Sequence, residues 1–205
     1  MIFYSLSNLI LSGIKDICIV TQTKHISSYR SLLSQYVKYG IKITYKSQNT
    51  PAGIPEALKI CEKFVGKANI CLALGDNIFF GHNFENRLSL AIQNLAEGYS
   101  SILTHPVKDP SRFGVAEIKN NKVKKLIEKP KKPKSNFAVT GLYFLTNNSV
   151  ARSKKLKKSK RNELEISDVN NYYVANKEMH SIHLNEGAIW IDAGNPESLF
   201  RASEY

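Results

Sequence analysis

Two short apolar runs in this sequence each end beside an aspartate and a glycine. Ile70-Cys-Leu-Ala-Leu74 leads into Gly75, Asp76 and Asn77, and Ala188-Ile-Trp-Ile191 leads into Asp192, Ala193 and Gly194. An unbroken apolar run of this length reads as a strand buried on both faces. A carboxylate just past the carboxyl end of such a strand stands where open α/β sheets place their ligands. Two of them brought to one sheet edge suit a Mg2+ ion carrying phosphates, because Mg2+ takes one or two carboxylates plus substrate oxygens. Each stretch taken alone reads more readily as a plain turn, since Gly, Asp and Asn are turn formers.

Two further stretches carry polar groups in a useful pattern. In Leu126-Ile-Glu-Lys-Pro130 the proline forces an extended residue before it. Glu128 and Lys129 are adjacent and so face opposite sides of a strand. A bent or bulged backbone there lets one meet hydroxyls while the other meets phosphate. Gln48-Asn-Thr-Pro-Ala-Gly53 offers a primary amide and a Pro/Gly loop that lets backbone approach a planar base. His180 and His183 are three apart, which on a strand separates them, and zinc would need further ligands. No Gly-x-Ser-x-Gly elbow is present, so serine hydrolase chemistry has no support.

The elements that must hold these groups alternate. Helical periodicity is read over 4–11, 27–37, 55–64 and 84–95, and strands over 16–21, 42–45 and 70–74. Alternation of this kind implies right-handed crossovers and a mostly parallel sheet. Later strands are expected at 101–106, 115–117, 123–128, 138–145, 179–184 and 188–191, with a hairpin at Asn120-Asn121 and helices over 164–174 and 196–203. Residues 152–161 read as a basic linker or short helix.

The chain has 205 residues, 42% of them hydrophobic and 22% charged, which is ordinary globular composition and long enough for one full core. The expected organisation is a single domain over 1–205, with a nucleotide-binding part over about 1–100 and a sugar-phosphate part over about 101–205. Three cysteines without motif spacing argue for a reducing compartment, hence a cytoplasmic protein, and no run is long enough for a membrane span. The formal charge of +12 resides largely in two lysine blocks, 129–134 and 152–161, without interleaved aromatics. That pattern favours a solvated surface over a nucleic-acid platform.

Taken in order, Gln48 to Gly53, Leu74 to Asn77, Asp109 to Val115, Glu128 to Pro130, Ser135 to Tyr143, Arg161 to Asp168 and Trp190 to Gly194 resemble the glucose-1-phosphate thymidylyltransferases. The resemblance covers the whole chain. It implies an α/β, Rossmann-like nucleotidyltransferase fold with a mixed, mostly parallel sheet flanked by helices. It implies dTTP and glucose 1-phosphate as substrates, Mg2+ as cofactor, dTDP-glucose and pyrophosphate as products, and a homo-oligomer in the full-length family, with no nucleic acid or membrane partner. By motif, Asp76 and Asp192 correspond to the metal carboxylates, and Gln48 and Gly53 to the thymine-reading pair. Asn77, Gly114, Glu128 and Val139 correspond to sugar contacts, and Lys129 and Arg161 to the catalytic phosphate clamp. Tyr143, Glu163 and Trp190 line the same region.

Departures from the family are Phe113 for a usual Tyr, Asn162 for a usual Gly and Ala193 for a usual Thr. The family's opening strand, Gly-rich phosphate loop and following lysine have no counterpart in the sequence as it stands, nor has its helical tail. The resemblance therefore carries the expectation of reduced activity for these 205 residues. A uridylyl transfer to glucose 1-phosphate and a non-catalytic sugar-nucleotide-binding role stay open as alternatives at this point.

Overall fold

Runs rich in Ile, Val, Phe and Tyr become strands, and segments with apolar residues three and four apart become the helices between them. The computed structural model describes residues 1–120, 122–184 and 187–203. In chain order these form α1 (Ile2–Leu11), β1 (Asp16–Thr21), α2 (Ile26–Leu33), β2 (Lys42–Ser47), α3 (Ile54–Ile60), α4 (Glu62–Val65), β3 (Ile70–Ala73), β4 (Asn77–Gly81) and α5 (Phe84–Ala96). There follow β5 (Ser100–Pro106), β6 (Gly114–Lys119), β7 (Lys122–Glu128), β8 (Phe137–Leu145), α6 (Asn148–Ser153), α7 (Ile166–Ala175), β9 (Met179–His183), β10 (Ala188–Asp192) and α8 (Pro196–Ala202). Among the described residues no helix is long and apolar enough to cross a membrane.

The sheet is mixed, but the expected parallel majority is not found among the described strands. Only β1 with β2 and β5 with β9 run parallel; β3, β5 and β6 all pair β8 antiparallel, as do β6 with β7 and β4 with β10. Alternating strands and helices foretell crossovers, yet they do not reveal that a later strand inserts beside an earlier one. β8 does this, lying between β5 on one side and β3 and β6 on the other. Eight of its nine residues are buried, which explains its mostly apolar sequence.

Two local expectations also change. The stretch after Asp76 is not a loop but strand β4, and Asn77 stands opposite Asp192 in the β4–β10 register. The 27–37 helix ends at Leu33 and tightens into a 3₁₀ turn over Ser34–Tyr39, closed by Gly40 at φ 75°. Of the 152–161 segment only its start is helical, in α6. Asn121 of the expected hairpin lies outside the described residues, while Asn120 takes the left-handed conformation at φ 52°.

The core divides into three apolar clusters. One packs α5 residues Leu88 and Ala91 against Leu103, Leu142 and Phe144 and reaches Trp190. A second gathers Ile102, Tyr143, Val169 and Tyr173, and a third gathers Leu6, Ile17, Ile19, Leu33 and Ile41 around β1. Leu88, Ile102, Leu103 and Leu142 are fully enclosed, and each such side chain contributes roughly 1.5–3 kcal/mol of burial. These clusters fix β8 and its neighbours, on whose ends the polar groups stand.

Candidate active site

Asp76 follows β3, and Asp192 closes β10. The β4–β10 ladder places Asn77 opposite Asp192, and the Ala193 amide donates to the Asp76 carbonyl at 2.8 Å, which ties the two strand ends together. Both carboxylates then converge on Gly194. A methyl group added there would lie 2.9 Å from Asp76 Oδ2 and 3.0 Å from Asp192 Oδ1. The Gly194 amide donates to Asp192 Oδ1 at 3.0 Å. Asp76, Asp192 and Gly194 share a cavity of about 380 Å³ with Arg112, Phe113, Lys129 and Asn195.

Asn77 is 2% exposed and its side chain is fully engaged inside the protein. Its Oδ1 accepts from the Trp190 indole at 2.6 Å and from the Gly141 amide at 2.9 Å, while its Nδ2 donates to Asp76 Oδ1 at 2.9 Å. The structure thus gives Asn77 and Trp190 a place as struts that orient Asp76.

Lys129 lies immediately past β7, in the left-handed region at φ 40°. Its amide donates to the Phe113 carbonyl at 3.0 Å. The bend turns Lys129 into the carboxylate cavity, while Glu128, one residue back, sits with a second group of charges. Glu128 is paired with Gly114 across the β6–β7 ladder, and a methyl on Gly114 would stand 3.4 Å from Glu128 Oε2 and 3.8 Å from Val139 Cβ. Gly114, Glu128 and Val139, expected together from their motifs, are therefore neighbours.

Arg161 is the centre of that second group. Its guanidinium lies 3.6 Å from Glu128, 3.6 Å from Glu163 and 3.3 Å from Glu165. Glu165 is 7% exposed and also accepts from Ser159 Oγ at 2.6 Å. Burial, and then the Glu165 charge, push the Glu128 carboxyl above the usual carboxylate range, against the pull of Arg161 and Lys129. Buried Tyr143 joins the two groups: its phenol is pushed up by burial first and then by the charges of Glu128 and Asp76.

A raised carboxyl is a stability statement with a definite sign. The native state binds the Glu128 proton more tightly than the unfolded chain does, so stability falls as pH rises from the unfolded value through the raised native one. Glu128→Gln is expected to flatten that part of the curve and to match or exceed the parent at neutral pH, within about 1 kcal/mol. Urea unfolding between about pH 4 and pH 7 checks this; a variant less stable than the parent at neutral pH would show that the pair with Arg161 dominates instead.

Gln48 and Gly53 lie on the loop between β2 and α3. Gln48 Nε2 donates to the Gly53 carbonyl at 3.4 Å, and the loop is held to the Arg161 segment by the Leu164 amide donating to the Ala52 carbonyl at 2.9 Å. Gln48, Gly53 and Glu163 line one end of a large, mostly apolar cavity of about 830 Å³ between β1, α3 and β3. Sequence reasoning did not single out Arg112, Glu165 or Asn195. The first two lie inside stretches noted for their motifs, but their types are those of ordinary surface residues, and only the packing marks them.

Comparison with known proteins comes to the same place. The nucleotidyl transferase family model matches residues 1–205. Glucose-1-phosphate thymidylyltransferase of Neisseria meningitidis is 42% identical over all of this chain and 71% of its own length. The protein of that name from Xanthomonas campestris is 40% identical, over all of this chain and 69% of its own. A Bacillus anthracis crystal structure in complex with sucrose, described as a glucose-1-phosphate thymidylyltransferase, superposes with a TM-score of 0.87. It is 36% identical and covers 99% of this chain and 80% of its own. A UDP-glucose pyrophosphorylase bound to UDP-glucose has the same fold, with a TM-score of 0.84 at 21% identity.

Proposed function

Since the chain belongs to the nucleotidyl transferase family, and within it to the glucose-1-phosphate thymidylyltransferases, we propose that it transfers a thymidylyl group from dTTP to glucose 1-phosphate. A phosphate oxygen of the sugar phosphate bonds to the α-phosphorus of dTTP, the bond from that phosphorus to the bridging oxygen breaks, and pyrophosphate leaves. The nucleophile is already an anion, so no side chain need remove a proton. Positioning and neutralisation of charge carry the rate. The observation that supports this most is the convergence of Asp76 and Asp192 on a residue with no side chain.

The two carboxylates suit a hard cation with oxygen ligands, and Asp76 and Asp192 would hold Mg2+. Bound there, Mg2+ would neutralise phosphate charge and polarise the reacting phosphoryl group. Lys129, in the same cavity, supplies a point charge to phosphate. Arg161, braced by three carboxylates, presents a fork matched to phosphate oxygens. Glu128, with Gly114 and Val139 beside it, suits the sugar hydroxyls. The Gln48–Gly53 loop suits the thymine edge, which divides the single domain into a nucleotide part over about 1–100 and a sugar part beyond.

Pyrophosphate release by the purified protein with glucose 1-phosphate and either dTTP or UTP tests the reading, alongside calorimetric binding of dTDP-glucose. The expected result is a clear preference for dTTP that depends on Mg2+. A preference for UTP would reassign the base, and binding of dTDP-glucose with no turnover for either nucleotide would replace catalysis by a binding role.

A further inference from the structure

The sequence treats its cysteines as small apolar residues, but the fold brings two of them together. Cys18 is the third residue of β1, and Cys61 sits at the corner between α3 and α4. They are separated by 43 positions, and their sulfurs lie 3.4 Å apart. Both line the 830 Å³ cavity, so a small reagent has a path to them even though Cys61 is only 8% exposed. Cys71 lines the same cavity from β3 and is a free thiol with no sulfur partner among the described residues.

We propose that Cys18 and Cys61 form a thiol modification site that reacts with low-molecular-weight disulfides and closes into an intramolecular disulfide. The two thiols divide the work. The Cys61 S–H donates to Cys18, and with Lys46 nearby this pulls the Cys18 thiol down, while the same contact and burial push Cys61 up. Cys18 is thus the thiolate that attacks, since the thiolate is the nucleophile. Its sulfur bonds to one sulfur of the reagent, the reagent's S–S bond breaks, and one small thiolate leaves. Cys61 then loses its proton, its sulfur bonds to Cys18 Sγ, and the second small thiolate leaves. Two protein thiols and one small disulfide become one protein disulfide and two small thiols.

Closure needs the sulfurs to approach from 3.4 Å to about 2.05 Å. The bond would tie β1 to the helical corner behind the Gln48–Gly53 loop. Because the Gln48 amide donates to the Thr21 carbonyl at the end of β1, at 2.9 Å, it would also stiffen that loop.

The test incubates the folded 205-residue protein with oxidised glutathione, then quenches with a thiol-alkylating maleimide and reads intact mass and non-reducing peptide maps. The expected product has lost two hydrogens, joins the Cys18 and Cys61 peptides, and carries a single maleimide, on Cys71. In Cys61→Ser the first step should still occur but not the second, so a glutathione adduct accumulates on Cys18. Cys71→Ser should close as fast as the parent, which separates native closure from scrambling in unfolded chains. Failure of Cys18 to react at millimolar oxidised glutathione, a stable adduct on Cys18 in the parent, or a link that includes Cys71 would each overturn the proposal.

Discussion

Gly194→Ala is expected to weaken divalent metal binding by about 10–100-fold, the range seen when groups that orient metal ligands are disturbed, while leaving the melting temperature nearly unchanged. The added methyl would meet Asp76 Oδ2 at 2.9 Å, closer than real methyl groups approach, and Asp192 Oδ1 at 3.0 Å, a tight contact. Both atoms are ends of side chains, so they can swing away at little expense to the fold. Swinging away is what ruins the site, because the two carboxylates would no longer share a focus. Asp76→Asn and Asp192→Asn remove a charge each without adding bulk, and each should lower turnover by roughly 10²–10³-fold, as loss of a single electrostatic contact to a reacting centre does. Asp76→Asn also alters the partner of Asn77 Nδ2 and so tests the strut formed with Trp190. Electron paramagnetic resonance of Mn2+ in the presence of dTDP-glucose reads metal binding directly, apart from turnover. Parent-like Mn2+ affinity in all three variants would show that these carboxylates do not hold the ion.

This contrast between fold and site also explains what the sequence made legible. The strand at 138–145 was visible because burial on both faces leaves a nearly unbroken apolar run, and those at 16–21 and 179–184 were visible from shorter apolar stretches. Asp76 and Asp192 were visible as carboxylates after such runs. What the runs do not encode is partnership. The antiparallel pairing of β4 with β10 sets Asn77 opposite Asp192, and no local signal in Asn77–Gly81 announces it. Lys129 and Glu128 were legible as a pair needing a bend, and the left-handed φ of Lys129 is that bend. Glu165 was not legible, because a glutamate beside a helix start is common and only burial beside Arg161 distinguishes it. The Cys18–Cys61 contact was likewise invisible, since a separation of 43 positions carries no spacing rule.

Gly53→Ala should be the most damaging single change in the loop between β2 and α3, lowering stability by roughly 3 kcal/mol or more, in the range reserved for backbone strain combined with a steric clash. Two independent constraints act at this position. The residue has φ 98°, a region that L side chains rarely adopt. In addition, an added methyl would fall 2.1 Å from the Leu164 carbonyl oxygen and 2.8 Å from its nitrogen, and these are backbone atoms that cannot rotate out of the way. Relief therefore requires the loop to part from the 161–168 segment, breaking the bond from the Leu164 amide to the Ala52 carbonyl. That bond ties the Gln48 loop to the segment carrying Arg161 and Glu163, so the expected loss extends to the base and phosphate contacts proposed for them. Gln48→Ala supplies the comparison. Among the described residues its side chain is tied by a 3.4 Å contact to the Gly53 carbonyl, so the change should leave the melting temperature in place and weaken nucleotide binding by about tenfold, the worth of one lost hydrogen bond. Differential scanning calorimetry and dTDP-glucose titration on both variants separate the cases. If Gly53→Ala kept the parent's melting temperature, the close approach of the two backbones would not exist in solution, and the proposed coupling of the base-reading loop to Arg161 would fall with it.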